Sequence, residues 1–198
     1  MNIDGAFRQG DNTSSIGGVI RNHKGDWITG FFYKSMAQNH TTAEIEAFHT
    51  GLMLADSLKL GNLEIETNLS EILQLMDHAK LPYDVIISVC RSLLKKLQNP
   101  VVRHSFRQGN YVADILAKQG SRLTNYDKTT LLHTPPDCVK DQLAKDKNGV
   151  TSTRTIKSST CNKSARFGNL VVTTNPYRVV VSNSPVTSWV ISITFSIS

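Results

Sequence analysis

MNIDGA, residues 1–6, reads as a short strand ending on an aspartate. Ile3 is apolar, and Gly5 beside Asp4 suits a backbone that must pass close to another segment. Asp-Gly is also an ordinary hairpin-turn pair, so on their own these six residues leave a turn and a site both open. Asp4 gains weight from two distant carboxylates, Glu44 and Asp114, each at a position that can face it.

Working outward, the polar turn RQGDNTSS leads into two more strand-like runs, Ile16–Asn22 and Asp26–Tyr33, joined at His23-Lys24-Gly25. Trp27, Ile28, Phe31, Phe32 and Tyr33 give the second run its aromatic and β-branched character. Three such runs with short turns predict an antiparallel meander. Gly17-Gly18 inside a strand implies a close backbone approach or a bulge. A phosphate-cradling glycine loop would need a helix directly after it, and none is predicted there.

The period then changes. Ile45, Phe48, Leu52 and Ala55 fall three or four apart, which predicts a helix over 41–58. Thr41-Thr42-Ala43-Glu44 fits a capping box, in which Glu44 would serve the free N–H groups at the helix start, and Gly61 is a plausible C-terminal stop. Leu63–Thr67 alternates as a fourth strand. Helices follow over Leu69–Ala79, ended by Pro82, and over Asp84–Leu97, with Arg91, Lys95 and Lys96 on a solvated side. Val101–Phe106 is a fifth strand. Tyr111–Gln119 is a last helix that Asn110 can cap, Gly120 can stop, and whose positive end favours a carboxylate at Asp114. The order β-β-β-α-β-α-α-β-α over about 120 residues implies an α/β architecture, a mixed sheet with helices packed on it.

Charge divides the 198-residue chain. Residues 1–125 carry 13 Lys+Arg against 12 Asp+Glu, whereas 126–198 carry 9 against 4, so the pI of 9.3 belongs largely to the second stretch and not to a basic face on the first. Val139–Arg166 is polar with little periodicity and reads as a linker. Asn169–Ser198 is rich in Val, Ile, Ser and Thr and reads as a β-prone segment, so 126–198 is expected to be a tail to a domain at 1–125, not a second domain. Cys90, Cys138 and Cys161 are odd in number and widely spaced, which fits free thiols in a reducing compartment. No secretory signal and no run of about 20 apolar residues is visible, so the expectation is an intracellular chain without a membrane partner, with nucleus and cytoplasm both open.

NIDGA, GGVIRNHKGDWITGF, TTAEIEA with GLMLA after it, LEIETNLSEIL and RHSFRQGNYVADILAK occur in this order with characteristic spacing. Together they resemble the plant ribonuclease H-type, or reverse-transcriptase-like, domain often found in retroelement-derived proteins. The resemblance covers about residues 1–122. It implies a ribonuclease H-like fold with a five-stranded mixed sheet and an acidic site at its middle. It also implies hydrolysis of the RNA strand of an RNA–DNA hybrid with two Mg²⁺ ions, for which Mn²⁺ can substitute, and no small-molecule cofactor. Carried over residue by residue, the catalytic carboxylates are Asp4, Glu44 and Asp114. The metal ligands are these three with Asn68, where the family's Asp-Ser pair falls on Asn68-Leu69. Arg107 and Asn110, in the loop before the last helix, are candidate substrate contacts.

The chemistry explains the residue types. Hydrolysing a phosphodiester needs an activated water and a stabilised leaving oxygen, and hard cations held by oxygen ligands supply both. Clustered carboxylates repel one another without a cation, so three in family order read as a cation site. Asn68 departs from the pattern because an amide oxygen brings no charge. Many relatives carry a histidine in the loop where Arg107 stands, and His104, on a strand, reads as a sheet residue instead. Two readings therefore stay open at this point, an enzyme of reduced rate and an inactive descendant that binds nucleic acid or protein.

Overall fold

In the computed structural model, which describes residues 1–68, 70–77, 82–105, 107–148, 152–157, 177–182 and 188–195, the meander forms as the alternation implies. Strand β1 (Asn2–Arg8) pairs antiparallel with β2 (Thr13–Arg21), and β2 with β3 (Trp27–Met36). The β1–β2 register sets Asp4 opposite Gly17 and Gly5 opposite Ile16. Helix α1 (His40–Ser57) carries the chain across to β4 (Glu64–Thr67), which lies parallel to β1. Helices α2 (Ser70–Asp77) and α3 (Asp84–Lys96) lead to β5 (Val101–His104), parallel to β4. A short 3-10 turn, Arg107–Asn110, opens α4 (Tyr111–Gly120).

The sheet has six strands, not five. Its order is β5-β4-β1-β2-β3-β6, where β6 (Thr130–Leu132) pairs antiparallel with β3 at one edge. Three residues are too few for alternation to show in a sequence, and β6 falls in the stretch assigned above to the tail. Tertiary bonds hold it: Trp27 Nε1 and Thr29 Oγ1 both donate to the Leu132 carbonyl, at 3.3 and 3.2 Å. A fifth helix, α5 (Asp137–Lys147), lies where a linker was expected. It buries one residue, Val139, so no apolar stripe could announce it, while Asp137 in its first turn and Lys145 and Lys147 in its last suit the helix dipole.

Glycines let both faces of the sheet be covered closely. A methyl on Gly5 would collide with the Ala43 carbonyl and the Glu44 nitrogen, so α1 lies directly on β1. A methyl on Gly17 would collide with α4 backbone at Ala113 and Ala117. Successive side chains on a strand point to opposite faces and paired residues share one, so α1 and α4 cover opposite faces. Ile3, Ile16, Phe31, Phe48, Leu52, Ile65 and Ile72 form the core that includes the α1 side. Gly5→Ala is expected to cost about 3 kcal/mol, because backbone rather than a flexible side chain must yield. Thermal unfolding checks this, with Gly10→Ala, in open space, as the harmless comparison.

Two local expectations fail. The N-cap of α1 is Asn39, whose Oδ1 accepts from Thr42 N at 2.9 Å, so the capping box at Thr41–Glu44 does not form. Asn39 starts the helix earlier and leaves Glu44 free to turn inward. The chain leaves α1 through Lys59 at φ +52, two residues before the expected stop at Gly61. Cys90 is a buried free thiol that burial pushes up to about 12, and Cys138 is free and exposed, while Cys161 lies outside the described residues.

The chain makes two compact units, Met1–Asn22 with Asp26–Gln142, and His23–Gly25 with Leu143–Ser198. The first holds the six-stranded sheet. The second holds strands β7 (Ser152–Lys157), β8 (Tyr177–Ser182) and β9 (Ser188–Phe195), an antiparallel sheet in the order β7-β9-β8. Two of these strands fall in the segment read as β-prone. Among the described residues, no helix is long and apolar enough to cross a membrane.

Candidate active site

Parallel pairing of β1 with β4 sets Asn2 beside Glu66 and Ile3 beside Thr67, so the next residues, Asp4 and Asn68, arrive at one level. Asn68 Nδ2 donates to Asp4 Oδ1 at 2.7 Å. From the other direction α1 delivers Glu44 one turn after its start. Its side chain is fully buried, and its Oε2 accepts from the Gly5 N–H at 3.1 Å. The same missing methyl on Gly5 that admits the helix makes this bond possible. Strand β1 runs on to Arg8, past the end expected at Asp4, so three of the four expected ligands meet along its first half.

Burial pushes the Glu44 carboxyl up to about 9, and the Asp4 charge adds to the shift, while the Gly5 N–H and the Asn68 amide oppose it. Two carboxylates held this close in a dry setting resist sharing the same charge. Glu44 Oε1 has no hydrogen-bond partner, with His40 Nε2 at 3.6 Å, and Asn68 Oδ1 is likewise buried and unbonded. An oxygen in that position is an acceptor without a donor, which normally carries a cost that a cation would remove.

Asp114 lies in the first turn of α4. Asp4 shares its face with Gly17, and α4 packs on Gly17, so Asp4 and Asp114 belong to the same face of the sheet. The Asp114 carboxylate is nevertheless held by its own helix: Lys118 Nζ lies 2.5 Å from its Oδ2. Among the described residues, no three Asp, Glu, His or Cys side chains stand together as a ligand set for an ion. Asp4 and Glu44 supply two charged groups, Asn68 an uncharged oxygen, and Asp114 is turned to an ammonium.

Asn110 does not cap α4 with its side chain. It is fully buried and its Nδ2 donates to the Ile3 carbonyl at 2.6 Å, which ties the loop before α4 to the strand that carries Asp4. The side chain of Arg107 lies outside the described residues. His104, read from the sequence as a sheet residue, also touches the site: its Nε2 lies 3.0 Å from the Asn68 carbonyl oxygen. Only the pairing of Thr67 with His104 brings it there, and no local pattern encodes that register.

A family model described as reverse transcriptase-like matches residues 2–120. A curated Arabidopsis thaliana protein described as a "putative ribonuclease H protein" is 27% identical over 161 residues, covering 79% of this chain; the chain spans about a quarter (26%) of that relative's length. Among solved structures, ribonuclease H1 from the archaeon Halobacterium salinarum is 20% identical with a TM-score of 0.55, covering 61% of this chain and 94% of the archaeal one. LC11 ribonuclease H1, solved in complex with an RNA/DNA hybrid, is 24% identical with a TM-score of 0.54, covering 60% and 92%. At these identities the structures show the fold, a mixed sheet flanked by helices as read from the sequence. With the match over residues 2–120, the chain belongs to the reverse transcriptase-like family and carries a domain of the ribonuclease H type.

Proposed function

We propose that this chain binds an RNA–DNA hybrid and hydrolyses its RNA strand slowly, with a divalent cation held by Asp4, Glu44 and the side-chain amide oxygen of Asn68. The observation that supports this most is the buried Glu44 Oε1, an acceptor without a hydrogen-bond donor beside the Asp4 charge. Mg²⁺, with Mn²⁺ as substitute, suits an all-oxygen donor set. When bound, it would supply Lewis acidity at the scissile phosphate and lower the pKa of an attacking water. The chain's own residues do the positioning. The Gly5 N–H fixes one oxygen of Glu44, the Asn68 amide fixes one of Asp4, and Asn110 holds the strand beneath them. Selection of a hybrid would rest on 2′-hydroxyl contacts to one strand and backbone contacts to the other.

One observation favours a second reading, a binding module without activity. Asn68 meets Asp4 through its N–H₂, so in this arrangement it satisfies the aspartate itself. A hybrid-cleavage assay on the full chain, with Mg²⁺ and with Mn²⁺, separates the two. Cation-dependent loss of the RNA strand supports the enzyme, whereas hybrid binding with no cleavage in either cation supports the module and overturns the enzyme.

His104 supplies a further check. Its ring holds the Asn68 carbonyl, so His104→Ala should release the turn that aims Asn68, and cation affinity should fall roughly 10-fold, as when an outer-shell partner is lost. His104→Gln, which keeps a polar group near the carbonyl, should retain most of it. Calorimetric Mn²⁺ titration of the three proteins measures this, and equal affinities would remove His104 from the site.

A further inference from the structure

The Lys118–Asp114 pair is not explained by the proposed reaction, and its geometry is specific. The Asp114 side chain is 5% exposed while that of Lys118 is 60% exposed, so a buried carboxylate is neutralised by an ammonium reaching in from the surface. The spacing is i, i+4 with the acid N-terminal to the base, the favourable orientation on a helix. Asp114 also lies in the first turn of α4, at the positive end of the helix dipole. Two sources of positive charge therefore act on this carboxylate before any metal ion arrives.

We propose that the Lys118 ammonium is the chain's own cation at Asp114, so that with a hybrid bound the site takes up one divalent ion and not two. This rests on the reading of Asp4, Glu44 and Asn68 as a cation site. The two-ion arrangement that the family resemblance implies includes Asp114 as a ligand, and an ion there would have to sit against the ammonium that holds this carboxylate at 2.5 Å. It would also need Asp4, where Asn68 Nδ2 already occupies one oxygen. Mg²⁺ sheds its waters reluctantly and tolerates little departure from octahedral geometry, so a position offering one hydrogen-bonded and one ion-paired carboxylate holds it poorly. Lys118 is a positioning residue here: it fixes the charge and direction of Asp114 and touches no reacting atom.

The test counts bound ions directly. The full chain is saturated with an unmodified RNA–DNA hybrid at low temperature, where hydrolysis is slow and the RNA strand is checked for intactness after each addition, and Mn²⁺ uptake is followed by electron paramagnetic resonance. The parent should bind one Mn²⁺, Lys118→Arg one, and Lys118→Met two. At a temperature where the hybrid is cleaved, the dependence of rate on Mn²⁺ concentration should steepen from first toward second order in Lys118→Met only. Lys118 is mostly exposed, so melting curves should show all three proteins folded. Two ions in the parent overturn this inference and leave the proposed function standing. One ion in both the parent and Lys118→Met also overturns it, since Lys118 would then not be what excludes the second. No ion in any of the three overturns the cation site itself, and the inference with it.

Discussion

Asn68→Asp is expected to raise cation-dependent cleavage of an RNA–DNA hybrid on the order of 10²–10⁴-fold, equivalent to about 3–5 kcal/mol of metal and transition-state stabilisation. Asp4→Asn should abolish whatever cleavage the parent shows. The first swap is nearly isosteric, and it replaces an uncharged oxygen with a charged one beside Asp4. The cost appears without cation. The bond from Asn68 Nδ2 to Asp4 Oδ1, 2.7 Å long, is lost, and a second carboxylate stands in its place. Losing a donor to a buried carboxylate while adding a like charge should destabilise the metal-free protein by about 2–4 kcal/mol. From sequence alone this penalty reads as slight, because the hydrogen bond is not visible there. Mg²⁺ should recover the loss by binding the folded state, so melting temperature should depend more steeply on Mg²⁺ in Asn68→Asp than in the parent. If rate and metal response are both unchanged, the cation does not sit between Asp4 and Asn68, and the proposed site is wrong.

The second large effect is a dependence of stability on pH that runs through Glu44. Its carboxyl is raised from 4.5 to about 9 in the folded protein, first by burial and then by Asp4. Between those values the folded state holds a proton that the unfolded chain has released. Stability from this group is therefore complete below about pH 4.5, declines as pH rises, and is gone above about 9. Each unit of separation is worth roughly 1.4 kcal/mol, so the full swing is on the order of several kcal/mol. Glu44→Gln, which cannot ionise, should be nearly flat over the same window and more stable than the parent at pH 8 without cation. Comparing the two cancels the contributions of the imidazoles and the amino terminus. Mg²⁺ should shrink the parent's slope, since a bound cation favours the ionised carboxylate, and leave Glu44→Gln almost unaffected. Denaturant unfolding of both proteins at several pH values measures this. Parallel slopes would show that Glu44 is not the group held protonated.

Most of the fold was legible because its signals are local. Alternation in β1 to β3, the three-and-four spacing of Ile45, Phe48, Leu52 and Ala55, and the shift between the two give the element order β-β-β-α-β-α-α-β-α without knowledge of any contact. Gly5 and Gly17 were legible too, as strand glycines that imply close approach, and both meet helix backbone. Strand β6 and helix α5 were not, since one is three residues long and the other buries a single side chain. Their partners lie elsewhere in the chain, so their own residues carry no pattern.

The site shows the same division more sharply. By itself the sequence determined which oxygen-bearing side chains this chain possesses, in what order, and which elements carry Asp4, Glu44 and Asp114. It did not determine what each one faces. Glu44 sits where a capping box would use it, yet its partner is Gly5, 39 residues away. Asn110 stands at a helix cap and bonds Ile3 instead, and His104 reaches Asn68 only through the β4–β5 register. Local patterns report contacts within about one helical turn, where chain geometry alone brings groups together. A buried polar group must find a partner wherever packing delivers one, and that choice is made only when β1, β4, β5 and the two covering helices come together.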